Sequence, residues 1–524
     1  MLSIVLNLKE IADFNDSVKS CLMSKTRKIF RENNMRKITE MQLKIGQVPI
    51  SEIEIDLDSR DEIPQLLLGL QAIDADRKLR GDVFEILKNI VPKNIDAKNG
   101  RPGMDLWKIL VLGALKLNCN WDYDKLHNIA NEHKTVREFL GHTIYDFDQK
   151  YKLQTIKDNL FLLTPDILDK ISPLVVRAGH KLKSDKDLSG RCDSFVVETN
   201  VHFPTDINLL LDAIRKILIN ISRVCESAGI PGWRQYRHNY RKVKKKFTRI
   251  NKMKRSTSQN SKKKAIREAL IVEAHKEYID LVGSYIDRAK KSLKIIQNDS
   301  GNLARAMILE HFISHGNRQI EQIRRRVIKE ETIPHHEKVF SIFEEHTEWI
   351  SKGKAGVRQE LGLRVCVLED QYGYILHHHV MEKQTDDKVA ILMVAEAIKK
   401  FPKLKSCSFD KGFYSPSNRE ELKEHLDHVI LPKKGKLSKK DKEIEHSQYF
   451  INKRRQHSAV ESGINALENH GLDICRDHGI SGFKRYVALS VMARNIQILG
   501  AMIQKKKLKQ KKRRTAQATL RMAA

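Results

Sequence analysis

Asp193, Asp410 and Glu461 are the residues of this chain whose types and settings could do chemistry. Asp410 closes the strand-like run Leu404-Lys405-Ser406-Cys407-Ser408-Phe409 and opens the turn Asp410-Lys411-Gly412. A carboxylate at the end of a buried strand, held in a glycine turn, is placed to bind a metal rather than to fill a core. An earlier strand starts Cys192-Asp193-Ser194-Phe195, and a later helix carries Val460-Glu461-Ser462-Gly463-Ile464. Two strand aspartates and one helical glutamate, in that order, are the ligand set of a two-metal phosphoryl-transfer site. Mg²⁺ needs few carboxylates beside waters and phosphate oxygens, so three suffice for two ions, with Mn²⁺ able to substitute. One ion would activate the attacking water or 3′-hydroxyl and the other would stabilise the leaving oxygen.

The competing reading of Glu461 is an exposed glutamate beside a core stripe of Val460, Ile464 and Leu467. The basic approach Lys453-Arg454-Arg455 suits a phosphate backbone and favours the site. Glu468 lies two helical turns beyond Glu461, about 10 Å along the axis, too far to share one metal pair. The tract His377-His378-His379 resembles a metal site, but alternate strand residues face opposite sides, so the three cannot converge. A structural role is assigned to it and to His335-His336. Ser194 has no paired base, which argues against serine-hydrolase chemistry.

The elements that must hold the carboxylates follow from periodicity. Strands are expected near 191–199, 361–368, 374–381, 404–409 and 428–431, with helices at 387–400, after Ser415, and around Glu461. The order strand, long insert, strand, strand, helix, strand, helix, strand, helix is that of a ribonuclease-H-like core interrupted after its first strand. The fold class is therefore mixed α/β, preceded by a helical N-terminal domain. The boundaries expected are a leader at 1–34 with a start at Met35, an N-terminal DNA-binding domain at 35–185, and a core at 186–206 and 359–503. A helical basic insertion fills 207–358 and a disordered basic tail 504–524. Three short helices near 99–141 are compatible with a helix-turn-helix, and equally with an ordinary bundle.

The chain has 524 residues, with 96 Lys+Arg against 66 Asp+Glu, a formal charge of +30. Such a field draws polyanions. At 40% hydrophobic the chain can bury cores, which excludes a disordered basic protein. Seven cysteines without CxxC spacing read as reduced thiols. No uninterrupted apolar run approaches a membrane span. Residues 234–264 carry fourteen Lys/Arg and no acid, interleaved with Trp233, Tyr236, Tyr240 and Phe247. A nucleic-acid surface is the favoured reading, centred on Arg241, Lys242, Lys244, Lys245, Lys246 and Arg249. Lys433 and Lys434, with Arg454 and Arg455, could hold a phosphate backbone beside the carboxylates; for the lysines an ordinary exposed loop is the alternative.

The runs from Asp193 to Asp206, Ser408-Phe409-Asp410-Lys411-Gly412-Phe413 and His457-Ser458-Ala459-Val460-Glu461-Ser462 resemble bacterial insertion-sequence transposases of the DDE class, most nearly the ISNCY group. The likeness runs from about residue 35 to 503. It implies Mg²⁺-dependent cutting and joining of double-stranded DNA at terminal inverted repeats and target, with Asp193, Asp410 and Glu461 as the triad. It also implies a homodimer in the bacterial cytoplasm, associated with the nucleoid and not with a membrane. Relatives often place Arg four residues before the glutamate and Lys seven after it; here those positions hold His457 and Glu468. Two other readings stand beside this one: a catalytically silent DNA-binding protein derived from a transposase, and a ribonuclease-H-type nuclease without strand transfer.

Overall fold

The computed structural model describes residues 34–35, 43–91, 101–146, 148–184, 187–255, 260–296, 303–351 and 359–523. Residues 1–33 of the expected leader lie outside them. The chain forms two compact units: one built on Val201–Thr347, the other joining Arg31–Asn200 to Glu348–Ala524.

The larger unit opens with α1 (Glu62–Ala75), α2 (Arg77–Leu87), α3 (Leu106–Asn118), α4 (Tyr123–Glu132), α5 (Lys134–Phe139), α6 (Leu153–Leu160) and α7 (Pro165–His180). Polar caps start most of them. The carboxylates of Asp61, Asp76, Asp105 and Asp122 accept backbone N–H groups of the first turns, and Thr164 does so for α7. α3 is buried on every side, from Leu106 to Asn118. α5 is six residues long and buries Val136 and Phe139. The segment expected to be compatible with a helix-turn-helix or an ordinary bundle thus holds three helices, of which α4 keeps Asp124, Lys125, Asn128 and Glu132 exposed.

Strand β1 (Leu188–Thr199) follows, and then the smaller unit, with α8 (Asp206–Ser227), α9 (Tyr236–Lys254), α10 (Ser261–Ile296) and α11 (Leu303–Ile323). Apolar residues of all four helices form one core around Ile214, Ile217, Tyr278, Ile286 and Leu309. The insertion was expected to be helical over 207–358; regular α-helix ends at Ile323, with a π turn to Ile328 and mostly irregular chain beyond among the described residues.

The larger unit resumes with β2 (Glu348–Ser351), β3 (Gln359–Glu369), β4 (Ile375–Met381), α12 (Asp386–Lys400), β5 (Leu404–Phe409), α13 (Pro416–His425) and β6 (His428–Ile430). α14 (Lys439–Glu445), α15 (Gln448–His457), α16 (Ala459–Leu467), β7 (Ile474–Cys475) and α17 (Gly479–Ala523) complete it. The sheet runs β2-β3-β1-β5-β6, with β4 also on β3 and β7 on β1. β3 is antiparallel to both β1 and β4, whereas β1, β5 and β6 are mutually parallel. The path β4-β3-β1-β5-β6 is the ribonuclease-H-like arrangement, in a mixed α/β chain that is mostly helical.

Two expectations on boundaries are corrected. The N-terminal helices are not a separate domain: one core cluster runs from Ile53 through the sheet to Leu499. α17 packs on α1, α3 and α7, and its apolar span, long enough to cross a membrane, is 78% buried. The basic tail is not a disordered arm but the continuation of α17 to Ala523. Lys, Gln, Arg and Ala are good helix formers, and the segment starts from a packed helix, so no new nucleus is needed. Gln504 donates to the Leu57 carbonyl at 2.8 Å, and Lys511 meets Asp58 at 2.8 Å.

Candidate active site on the sheet

Register brings the first two carboxylates together. Cys192 on β1 pairs with Phe409 on the parallel strand β5, so Asp193 and Asp410 follow on neighbouring strands. Such strands lie about 4.8 Å apart. Asp410 has an extended backbone (φ −75°, ψ 161°) and leads the 3₁₀ turn Lys411–Phe413, to which its side chain gives no capping bond. α16 buries Val460, Ile464 and Leu467, as the stripe predicts, and rests on β1. Glu461 is exposed beside that stripe.

Electrostatics report the same convergence. The Asp193 carboxyl is pushed up to about 6, first by burial and then by the negative charges of Asp410, Asp386 and Glu461. Crowded carboxylates raise one another in this way, and a divalent cation relieves the repulsion. The donor set therefore fits hard divalent ions held by oxygen.

Sequence reasoning missed Asp386. It begins α12, and its Oδ1 accepts the Ser194 hydroxyl at 2.6 Å. A Cβ on Gly412 would lie 2.8 Å from Asp386 Oδ2, so the glycine turn lets this carboxylate close on the Asp410 loop. No pattern distinguished it from Asp387. His457 was noticed only as a departure from relatives. Its Nδ1 lies 2.9 Å from Ser408 Oγ, and Asp410 and Glu461 both act on it electrostatically. Burial, the largest cause, holds its pKa below the usual value, so it stands there as a neutral imidazole whose buried Nε2 has no hydrogen-bond partner.

The cations divide. Lys434 Nζ donates to the Gly412 carbonyl at 3.0 Å and pins the Asp410 turn. Lys433 is committed to Asp441 at 2.6 Å, an acid that also takes Arg419, which argues against a phosphate contact. Arg454 and Arg455 are exposed on α15. In the smaller unit, Arg241, Lys242, Lys244 and Lys245 are exposed on α9. Lys246 and Arg249 instead meet Glu277 of α10 at 2.8 and 3.1 Å. The interleaved aromatics serve the core: Tyr236, Tyr240, Val243, Phe247 and Ile250 form a stripe at helical spacing, and Trp233 is 2% exposed. The histidine tract does not converge: His377 meets Lys400, His378 Asp169 and His379 Gln384.

Glu369, at the end of β3, supports the helix that carries Glu461. A methyl on Gly463 of α16 would overlap Glu369 Oε2. Burial raises this carboxyl to about 7 despite Arg191 at 2.9 Å. The folded state then holds the proton more tightly than the unfolded chain does. The stability so gained is full below about pH 4.5 and is lost as pH rises to 7, up to ~3 kcal/mol at ~1.4 kcal/mol per unit. Glu369→Gln is expected to flatten the gain in Tm between pH 7 and 5; an unchanged profile would contradict this.

The sheet is ribonuclease-H-like, with aspartates on adjoining strands and a glutamate on a helix that packs on it. Residues 317–496 match the family model described as Transposase DDE domain. That segment, about a third of the chain, is similar to a DDE transposase domain. Asp410 and Glu461 fall inside the matched segment, and Asp193 precedes it. No curated protein and no solved structure matches the chain.

Proposed function

We propose that this chain is a transposase that cuts double-stranded DNA at insertion-sequence ends and joins the freed ends to target DNA. The observation that carries the reading is the β1–β5 register, which sets Asp193 beside Asp410 with α16 and Glu461 against the same strand. Asp193, Asp410 and Glu461 would hold two Mg²⁺ ions, which would supply charge neutralisation and an activated hydroxyl or water. The chain's own residues do the rest. Lys434 and Gly412 fix the Asp410 turn, and Asp386 adds a fourth carboxylate behind it. Neutral His457, held by Ser408, offers a hydrogen bond where relatives use a cation. Arg454 and Arg455 would meet the DNA backbone. The protein would work as a homodimer pairing two ends in the bacterial cytoplasm. A labelled terminal-repeat duplex with Mg²⁺ tests this: joined product supports it, whereas binding alone or cleavage alone supports a silent derivative or a plain nuclease.

The exposed face of α9 is proposed to bind DNA phosphates. Each lysine that neutralises a phosphate adds about one unit to the slope of log K against log salt. Lys244→Ala/Lys245→Ala/Lys246→Ala is expected to lower that slope by about two rather than three, because Lys246 is held by Glu277. An unchanged slope would remove this face from the interface.

A further inference from the structure

The smaller unit holds a second group of ligand-type side chains that the DNA chemistry does not use. His311 and His315 stand four residues apart on α11, so both imidazoles leave one face of the helix about one turn apart. Their rings meet edge-on, with centroids 4.6 Å apart. Glu345 reaches them from the irregular chain that follows the helix. Its Oε1 lies 2.9 Å from Nε2 of His311 and 3.5 Å from Nε2 of His315. Among the described residues this is the group whose ligand atoms all lie within 4.8 Å of one another.

The donor chemistry selects the ion. Two imidazole nitrogens and one carboxylate oxygen suit Zn²⁺ and its neighbours, whereas Mg²⁺ and Ca²⁺ prefer oxygen throughout. Tetrahedral ligands at about 2.0–2.1 Å from a zinc ion lie about 3.4 Å from each other. The two nitrogen–oxygen distances, 2.9 and 3.5 Å, bracket that separation. The ligands are also anchored before any ion arrives. His315 is 8% exposed. Phe312, next to His311, packs on Phe343 at 6.2 Å. Phe312 also covers a small cluster of Leu209, Ala213 and Ile342. The Glu345 side chain is 45% exposed, which leaves the group open to solvent on that side. The His-x₃-His spacing was legible in the sequence. The glutamate was not, because the end of α11 and a stretch of mostly irregular chain intervene.

We propose that His311, His315 and Glu345 bind a divalent transition ion of the Zn²⁺ class, which ties the segment ending at Thr347 to α11. This site is separate from the carboxylates that would take Mg²⁺, and the proposal does not depend on the DNA chemistry.

The test uses the full chain, stripped with a chelator, loaded with Zn²⁺ and dialysed against excess Mg²⁺. About one Zn²⁺ per chain is expected to remain, and to remain also in Asp193→Asn/Asp410→Asn, whose carboxylate site is disabled. His311→Gln/His315→Gln should retain none, with its helical circular dichroism unchanged. Co²⁺ in place of Zn²⁺ should give visible absorption in the parent and not in the histidine variant. Should that variant misfold, Glu345→Gln decides, since it keeps both imidazoles and removes one charged ligand: weakened retention supports the site, and unchanged retention overturns it. No retained zinc in the parent, or equal retention in a folded histidine variant, also overturns it.

Discussion

Asp410→Asn is expected to remove DNA cleavage and joining while leaving the fold and DNA binding in place. The side chain is exposed and gives no capping bond to the turn it leads, so its removal costs little stability. What is lost is the negative charge that acts on Asp193 alongside Glu461, a charge proposed to hold metal. Charge stabilisation at such sites is worth several kcal/mol, which at ~1.4 kcal/mol per decade is a loss of about 10³-fold or more. Glu461→Gln should do the same, because Glu461 is the glutamate whose charge reaches Asp193. Glu468→Gln, two turns further on, should keep most activity. Rates on a terminal-repeat duplex, with binding measured in parallel, decide it. A dead Glu468→Gln beside an active Glu461→Gln would move the assignment along the helix.

Gly500→Ala should be the most damaging single methyl in the larger unit. An added Cβ there would overlap the Gln65 carbonyl oxygen, and one on Gly69 would overlap that of Ile496. The two glycines let α1 and α17 touch backbone to backbone, and a backbone cannot swing aside as a side-chain tip can. Overpacking costs typically 1–3 kcal/mol, and this contact should reach about 3 kcal/mol or more. Gly81→Ala is the control: nothing lies within 4 Å of its added methyl, and the change should stabilise α2 by about 0.4–1 kcal/mol. Thermal unfolding of the two variants should move Tm in opposite directions.

The proposed triad could be picked out because each member sits at a place that sequence marks: a strand, a strand end before a glycine turn, a helix with an apolar stripe. Strand order then followed from element order. What was not legible depends on contacts between distant segments. Asp386 reads as an ordinary first-turn acid until the Gly412 turn closes on it. The aromatics among the α9 cations favoured a nucleic-acid surface, but their spacing matches a buried stripe and α10 and α8 cover it. The missing acid in 234–264 was supplied by Glu277 from another helix. The tail was expected to be disordered on charge alone, although it extends a packed helix.

The contact between α1 and α17 also sets a timetable. α1 leaves the ribosome long before the helix that covers its buried face has been made. At about 5–20 residues per second, the ribosome needs roughly 20–90 s to travel from Gly69 to Gly500. For that interval Leu66, Leu67, Leu70 and Ile73 wait without their final neighbour. Every newborn copy therefore passes through a stage that chaperones and proteases can intercept before its chemistry exists.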